Sequence, residues 1–181
     1  DCRKIAKAAE PFGRIDALFN NAGKTTFANH ADMEAVSADN FARIYAVNVI
    51  GPFQMIRAAR SLLEAGPAPG AVVNTSSIAG VTGIGSSVPY AASKGALDSL
   101  TVGASKELAQ RGIRVHAVST GLIQTDLHAR AGLPDRLTRL VGGVPMGRVG
   151  STDEVATAVL WLLSPEASYI TGVIVPISGG R

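Results

Sequence analysis

Tyr90 and Lys94 lie four residues apart in Tyr90-Ala91-Ala92-Ser93-Lys94, and Ser77 precedes the tyrosine by thirteen positions. Positions i and i+4 share one face of a helix, so a helix here sets an ammonium beside a phenol. A neighbouring cation stabilises the phenolate, and the tyrosine pKa is expected to fall from about 10 toward neutrality. A phenol poised in that way can give a proton to a carbonyl oxygen or take one from an alcohol. Ser77 is available to hold the same oxygen by hydrogen bonding. Taken alone, the pair is also what an ordinary solvated helix carries, so its meaning depends on the elements that position it.

Those elements alternate. Apolar strands are expected at 15–19, 71–74 (running into Thr75-Ser76-Ser77), 113–119 and 173–176. Helices are expected at 2–10, with Ile5, Ala8 and Ala9 as the apolar stripe, and at 40–49, 53–63, 90–110 and 152–163. Residues 80–87 read as a flexible Gly/Ser stretch, and 121–148 as a long polar segment. Strands with little polar alternation, separated by helices, predict an α/β fold with a parallel sheet covered on both faces. No repeat or boundary is visible, so 1–181 reads as a single domain. In such sheets ligands bind beyond the carboxyl ends of the strands. Asn20 to Gly23, Thr75 to Ser77 and Thr120 to Thr125 follow strands, and Tyr90 opens the next helix, so the candidate chemistry collects at one sheet edge.

Bulk properties exclude several classes. The chain has 181 residues, 46% hydrophobic and 17% charged, which suits a globular domain with a real core. A net charge of +3, with scattered Lys and Arg and 5% aromatic residues, gives no nucleic-acid groove. Cys2 is the single cysteine, so no internal disulfide forms, which fits a reducing cytoplasm. No apolar run reaches the length of a membrane span, and Val159-Leu160-Trp161-Leu162-Leu163 is the densest patch. His30, His116 and His128 lack ligand spacing and predict no metal site; His116, inside a strand, reads as a core or interface residue. Asp98 and Glu107 read as surface charges on the long helix.

Asn20-Asn21-Ala22-Gly23, Asn48-Val49-Ile50-Gly51, Ser76-Ser77-Ile78-Ala79-Gly80, Tyr90 to Lys94, Gly121-Leu122-Ile123-Gln124-Thr125 and Ser178-Gly179-Gly180 occur in that order. Together they resemble the short-chain dehydrogenase/reductase family, across nearly the whole chain. The resemblance implies a Rossmann-like, doubly wound parallel sheet and a tetrad of Asn48, Ser77, Tyr90 and Lys94. Tyr90 would be the general acid/base, Lys94 would lower its pKa and bind the nicotinamide ribose, and Ser77 would orient the substrate oxygen. Asn48 would interrupt its helix, as Gly51-Pro52 also favours, and hold a water of the proton relay. Ser76 and Ser77 face opposite ways on a strand end, and the family spacing favours Ser77.

The same resemblance implies NAD or NADP as cofactor, held by Asn21, Ala22, Gly23, Tyr90, Lys94, Thr120, Gly121, Ile123 and Thr125. It also implies a small alcohol or ketone substrate, chosen by 80–88 and 126–148, and a homo-oligomer, dimer or tetramer, built on the small residues Ala91, Ala92, Gly95, Ala96 and Ser99. The carboxyl-terminal block from Val144 is similar to that of bacterial 3-oxoacyl reductases and sugar dehydrogenases. Nucleotide-sugar epimerases share Tyr-x-x-x-Lys but lack the Asn-Asn-Ala-Gly block.

Two departures stand out. Thr120-Gly121 replaces the family's Pro-Gly; a threonine restores an N–H and frees the backbone, so somewhat looser loop closure is expected. The Gly-rich pyrophosphate turn, Thr-Gly-x-x-x-Gly-x-Gly, is not found in this chain. The first three strands of the family fold, roughly 70 residues at about 30 per βα unit, are therefore expected to be missing, as in a segment of a longer protein. The alternatives are a shortened natural protein, or a non-catalytic fragment that keeps the oligomerising helices without binding cofactor. The residue that separates NAD from NADP would lie in that missing part.

Overall fold

The computed structural model describes residues 1–29 and 31–181. In chain order the elements are α1 (Cys2–Lys7), β1 (Ala17–Asn20), α2 (Ala38–Tyr45), α3 (Gly51–Glu64), β2 (Ala71–Ser77), α4 (Ala79–Thr82), α5 (Val88–Leu108), β3 (Arg114–Thr120), α6 (Leu127–Arg130), α7 (Arg136–Leu140), α8 (Thr152–Leu163) and β4 (Ile174–Ile177). The four strands form one parallel sheet in the order β1-β2-β3-β4. The result is an α/β, Rossmann-like architecture, as the alternating pattern predicts.

Side chains alternate across the sheet and build two cores. On one face Val72 and Val115 pack with Ile56, Ala59 and Leu63 of α3 and Leu108 of α5. On the other, Val73 and Val118 pack with Val159 and Leu162 of α8. Each strand is apolar on both faces because helices cover both. Truncating Leu63, which is fully buried, would cost about 2–5 kcal/mol.

Several boundaries differ from expectation. In α1 the buried residue is Ala6, while Ile5 is 60% exposed, so the predicted stripe of Ile5, Ala8 and Ala9 is displaced around the helix. A six-residue helix is too short for three apolar positions to fix its facing. Strand β1 starts at Ala17, because Ile15 donates its N–H to Leu62 of α3 and only Ala17 enters register with Ala71.

The stretch 80–87 is not simply loose. It begins inside α4, and Ser86 and Ser87 are buried. Ser86 accepts the N–H of Ala28 at 2.8 Å, and its hydroxyl meets that of Thr25. Helix α4 lies so close on α5 that a Cβ at Gly80 would sit 2.7 Å from the Gly95 nitrogen. Gly95, assigned from sequence to an oligomer face, is thus used within the chain; Ala91 is likewise buried, and Ala92 and Ser99 remain exposed. The segment 121–148 holds α6, α7 and a third small core of Leu122, Leu137 and Val144, which spaced single leucines do not announce.

Among the described residues, no helix is long and apolar enough to cross a membrane.

Candidate active site

The carboxyl ends of β1, β2 and β3 open into one cavity of about 650 Å³. Parallel strands must all end on this side, which is why residues distant in sequence meet here. Ser77, Tyr90 and Lys94 line it, with Asn21, Gly23, Thr120, Gly121, Ile123 and Thr125. Ala22 and Asn48 do not, although both carry predicted roles.

Helix α5 starts at Val88, with Pro89 in its first turn, so Tyr90 and Lys94 occupy one face, as i,i+4 spacing requires. Lys94 is 3% exposed; its Nζ donates to the Thr75 carbonyl at 2.6 Å and lies 5.6 Å from the centroid of the Tyr90 ring. One N–H is thereby used and two remain for other acceptors. The expected fall in the tyrosine pKa is not what the geometry gives. Burial raises the Tyr90 pKa above its ordinary value, against the polarity of the Ser77 hydroxyl and the charge of Arg136, both of which pull it down. Burial likewise lowers Lys94 to about 8, opposed by the charge of Asp98. Desolvation outweighs the pairwise attraction that sequence spacing suggests, and it favours the neutral phenol.

Ser77 is at the last position of β2. Its hydroxyl donates to the Thr120 carbonyl at 3.3 Å and accepts the Ala79 N–H at 3.2 Å. Ser76, on the opposite face, donates to the Lys94 carbonyl at 3.4 Å and so positions α5. Both serines touch the cavity wall, and their hydroxyls are turned to different partners, as strand alternation requires.

Asn48 sits in a π-helical turn, Ala46–Ile50, between α2 and α3, and is 1% exposed. The predicted helix interruption is present. Its amide donates to the Lys24 carbonyl and to Ser93, each at 2.9 Å, and its Oδ1 accepts the Lys24 N–H at 2.7 Å. Both side-chain N–H groups are used within the protein. The side chain thus pins the loop after β1 to α5, and it is not available to hold a water by donation.

Thr120 ends β3. Its hydroxyl donates to the Ser76 carbonyl at 3.1 Å, and the following Gly121 N–H donates to Ile177 at 3.0 Å. The threonine adds a tie to β2 where looser closure was expected. Ile123 bridges Gly150 in a parallel pairing that uses Leu122 O and Gln124 N–H, leaving the peptide groups of Ile123 outside it. A backbone donor, the Thr125 hydroxyl, the Asn21 amide and the Lys94 ammonium are together the donor set a nicotinamide nucleotide requires, for its carboxamide and its ribose hydroxyls. The residues present fit the nicotinamide and ribose half of that group.

Other side chains here carry no motif. Asp98, read as a surface charge, is half-buried one turn beyond Lys94; burial raises its pKa, Ser76 and Lys94 oppose the rise, and Oδ1 has no hydrogen-bond partner. The i+4 spacing to Lys94 was the available signal. Phe27, His128 and Arg136 also line the cavity. His116 is fully buried, in the core as read from sequence. His30 lies outside the described residues. No group of three or more His, Cys, Asp or Glu that could hold a metal occurs among the described ones.

A family model described as enoyl-(acyl carrier protein) reductase matches residues 3–181. An uncharacterised oxidoreductase of Escherichia coli K12, YgfF, is 45% identical over 170 residues, covering 92% of this chain and 68% of that protein. The solved structure of an NAD+-bound xylitol dehydrogenase superposes with a TM-score of 0.84 at 34% identity, over 99% of this chain and 74% of its own. An RhlG/NADP active-site complex from Pseudomonas aeruginosa gives 0.88 at 30% identity, over 99% and 71%. The chain spans 59 to 70% of the length of the curated relatives named first by similarity. The chain belongs to the short-chain dehydrogenase/reductase family.

Proposed function

We propose that the protein is an NAD- or NADP-dependent oxidoreductase that interconverts a secondary alcohol and a ketone, with Tyr90 as the general acid/base. The observation that carries this reading is the meeting of Ser77, Tyr90 and Lys94 in one cavity at the carboxyl edge of the sheet. The solved relatives bound to NAD+ and NADP support the cofactor class.

Hydride transfer at the substrate carbon is the chemistry a bound nicotinamide supplies. The chain's own residues handle the oxygen. Ser77 turns its hydroxyl toward the substrate oxygen, and Tyr90 delivers its phenolic proton there in the reduction direction. Burial favours the neutral phenol, so the proton is in place before reduction. The Lys94 ammonium stabilises the phenolate that results and offers its remaining N–H groups to the ribose hydroxyls. Asn48 fixes Lys24 and Ser93, and through them the approach of the β1 loop to α5. Asn21, Gly23, Thr120, Gly121, Ile123 and Thr125 complete the cofactor side.

A cytoplasmic homo-oligomer is part of the same reading. It rests on the single cysteine and on exposed apolar side chains such as Leu160, Trp161 and Tyr169 near the carboxyl terminus.

The test is quenching of protein fluorescence by NADH and by NADPH, followed by oxidation of the bound nucleotide on adding a panel of ketones. Saturable binding with turnover supports the proposal. No binding at millimolar nucleotide would favour the non-catalytic alternative.

A further inference from the structure

The cavity is lopsided in charge. Lys24, Lys94, Arg136 and Arg181 line it, and among the described residues no aspartate or glutamate does. Lys94 is accounted for by the proton chemistry. Arg136 is not. It opens α7, which is anchored by Leu137 in the small third core, and its guanidinium is turned to the cavity. There it lies 5.0 Å over the ring of Phe27, with one long hydrogen bond, 3.4 Å, to the Gly85 carbonyl. Its Nε is buried with no acceptor, and no carboxylate lies within ion-pair distance of it among the described residues. Burial pushes its pKa down, and the like charges of Arg181 and Arg139 add to that. A half-buried guanidinium facing other cations, with an unused N–H, costs free energy that an anionic ligand would return.

We propose that Arg136 is the anchor for a carboxylate carried by the substrate, so that the compound reduced or oxidised at Tyr90 is an oxo acid or the matching hydroxy acid. This rests on the oxidoreductase reading for the carbonyl end and on Arg136 for the other. The guanidinium fork matches a carboxylate in two parallel hydrogen bonds, and stacking on Phe27 holds the fork in one plane. Arg136 is close enough to Tyr90 for its charge to act on the phenol, which puts both ends of one small molecule within this cavity. Ile84, Leu127 and Leu140 supply apolar wall. The carbon chain between carbonyl and carboxylate is therefore apolar.

The test is binding first and turnover second. Saturation-transfer NMR would measure affinities of levulinate and benzoylpropionate against their neutral methyl esters. The wild type, Arg136→Gln and Arg136→Lys would be compared at low and high salt, each with its Tm recorded. The acids should bind the wild type at least about tenfold more tightly than the esters, which corresponds to about 1.4 kcal/mol. Salt should erode that preference, Arg136→Gln should abolish it and Arg136→Lys should keep part of it. Equal affinity for acid and ester in the wild type, or no binding of either, would overturn the anchor. So would an Arg136→Gln variant that keeps the preference, or one that weakens NADPH binding and leaves acid binding unchanged. If Arg136→Gln fails to fold, the acid-to-ester ratio and its salt dependence in the wild type decide alone. Selective acid binding without oxidation of NADH or NADPH would leave the anchor standing and remove the oxidoreductase reading instead.

Discussion

The two ends of the β2–β3 pair hold basic side chains, half-buried Arg114 and buried Lys94, in opposite circumstances. At the amino end Arg114 donates to the carbonyls of Leu162, Leu163, Ser164 and Ala167 at 2.6 to 3.3 Å, and to His116 Nε2 at 3.0 Å. These carbonyls belong to the end of α8 and the turn after it, where a helix leaves its C=O groups unpaired and its dipole negative. Arginine has no acceptor, so His116 Nε2 must accept, and the imidazole is neutral with its proton on Nδ1. At the carboxyl end Lys94 has one carbonyl, Asp98 has a bare oxygen, and Tyr90 faces a cavity. Both cations lose water, Lys94 more than Arg114, so burial alone does not explain which one is satisfied. Sealing does: at one end the protein satisfies the cation, and at the other it leaves donors for something else.

The sharpest break between the ends is expected from their two cations. Lys94→Ala should lower turnover by at least about a hundredfold and weaken nucleotide binding while the protein stays folded, because a buried, partly unsatisfied ammonium contributes little to stability. Activity assays beside a thermal melt read both; loss of only one of turnover and affinity would mean that Lys94 does not do both jobs. Arg114→Ala should do the reverse. It strands several carbonyls and should cost about 3 kcal/mol in denaturant titrations, with nucleotide affinity unchanged.

His116 sharpens the comparison through pH. Burial and Arg114 push its pKa down to about 4, from 6.5. Between these values the unfolded chain takes up a proton that the folded state refuses, so stability must fall as pH drops through that window. The loss is roughly 3 kcal/mol if the histidine acts alone. His116→Gln should flatten the curve between pH 6.5 and 4; an unchanged slope would place the acid sensitivity elsewhere. The smallest effect belongs to Thr120→Val, which removes the hydroxyl tie to Ser76 and should cost about 1 kcal/mol in a denaturant midpoint.

Much of the site was legible because parallel topology forces it. Once 71–77 and 114–120 are strands, their ends must meet, and i,i+4 spacing then puts Tyr90 and Lys94 together. What escaped the sequence has physical causes. The direction of the Tyr90 shift is not legible because spacing reports a charge pair and not the loss of water around it. Asp98 reads as a surface charge in the sequence because helical periodicity cannot show α4 pressing Gly80 onto Gly95. Arg136 lies where no periodic pattern exists, and only the fold brings it to Phe27 and Gly85. Arg114 is an unremarked arginine at a strand start until α8 ends against it. The threonine at 120 looked like a loosening because a missing proline is visible in sequence and a hydroxyl's partner is not.

The proton transfer proposed for Tyr90 stands above the other roles in this site. Its direct measurement is the rate of ketone-dependent NADH or NADPH oxidation by wild type and by Tyr90→Phe, with nucleotide affinity followed by fluorescence in both. In Tyr90→Phe kcat should fall by at least about a hundredfold while the nucleotide dissociation constant stays within about a factor of three. A phenylalanine variant that keeps more than about a tenth of the wild-type turnover would contradict it.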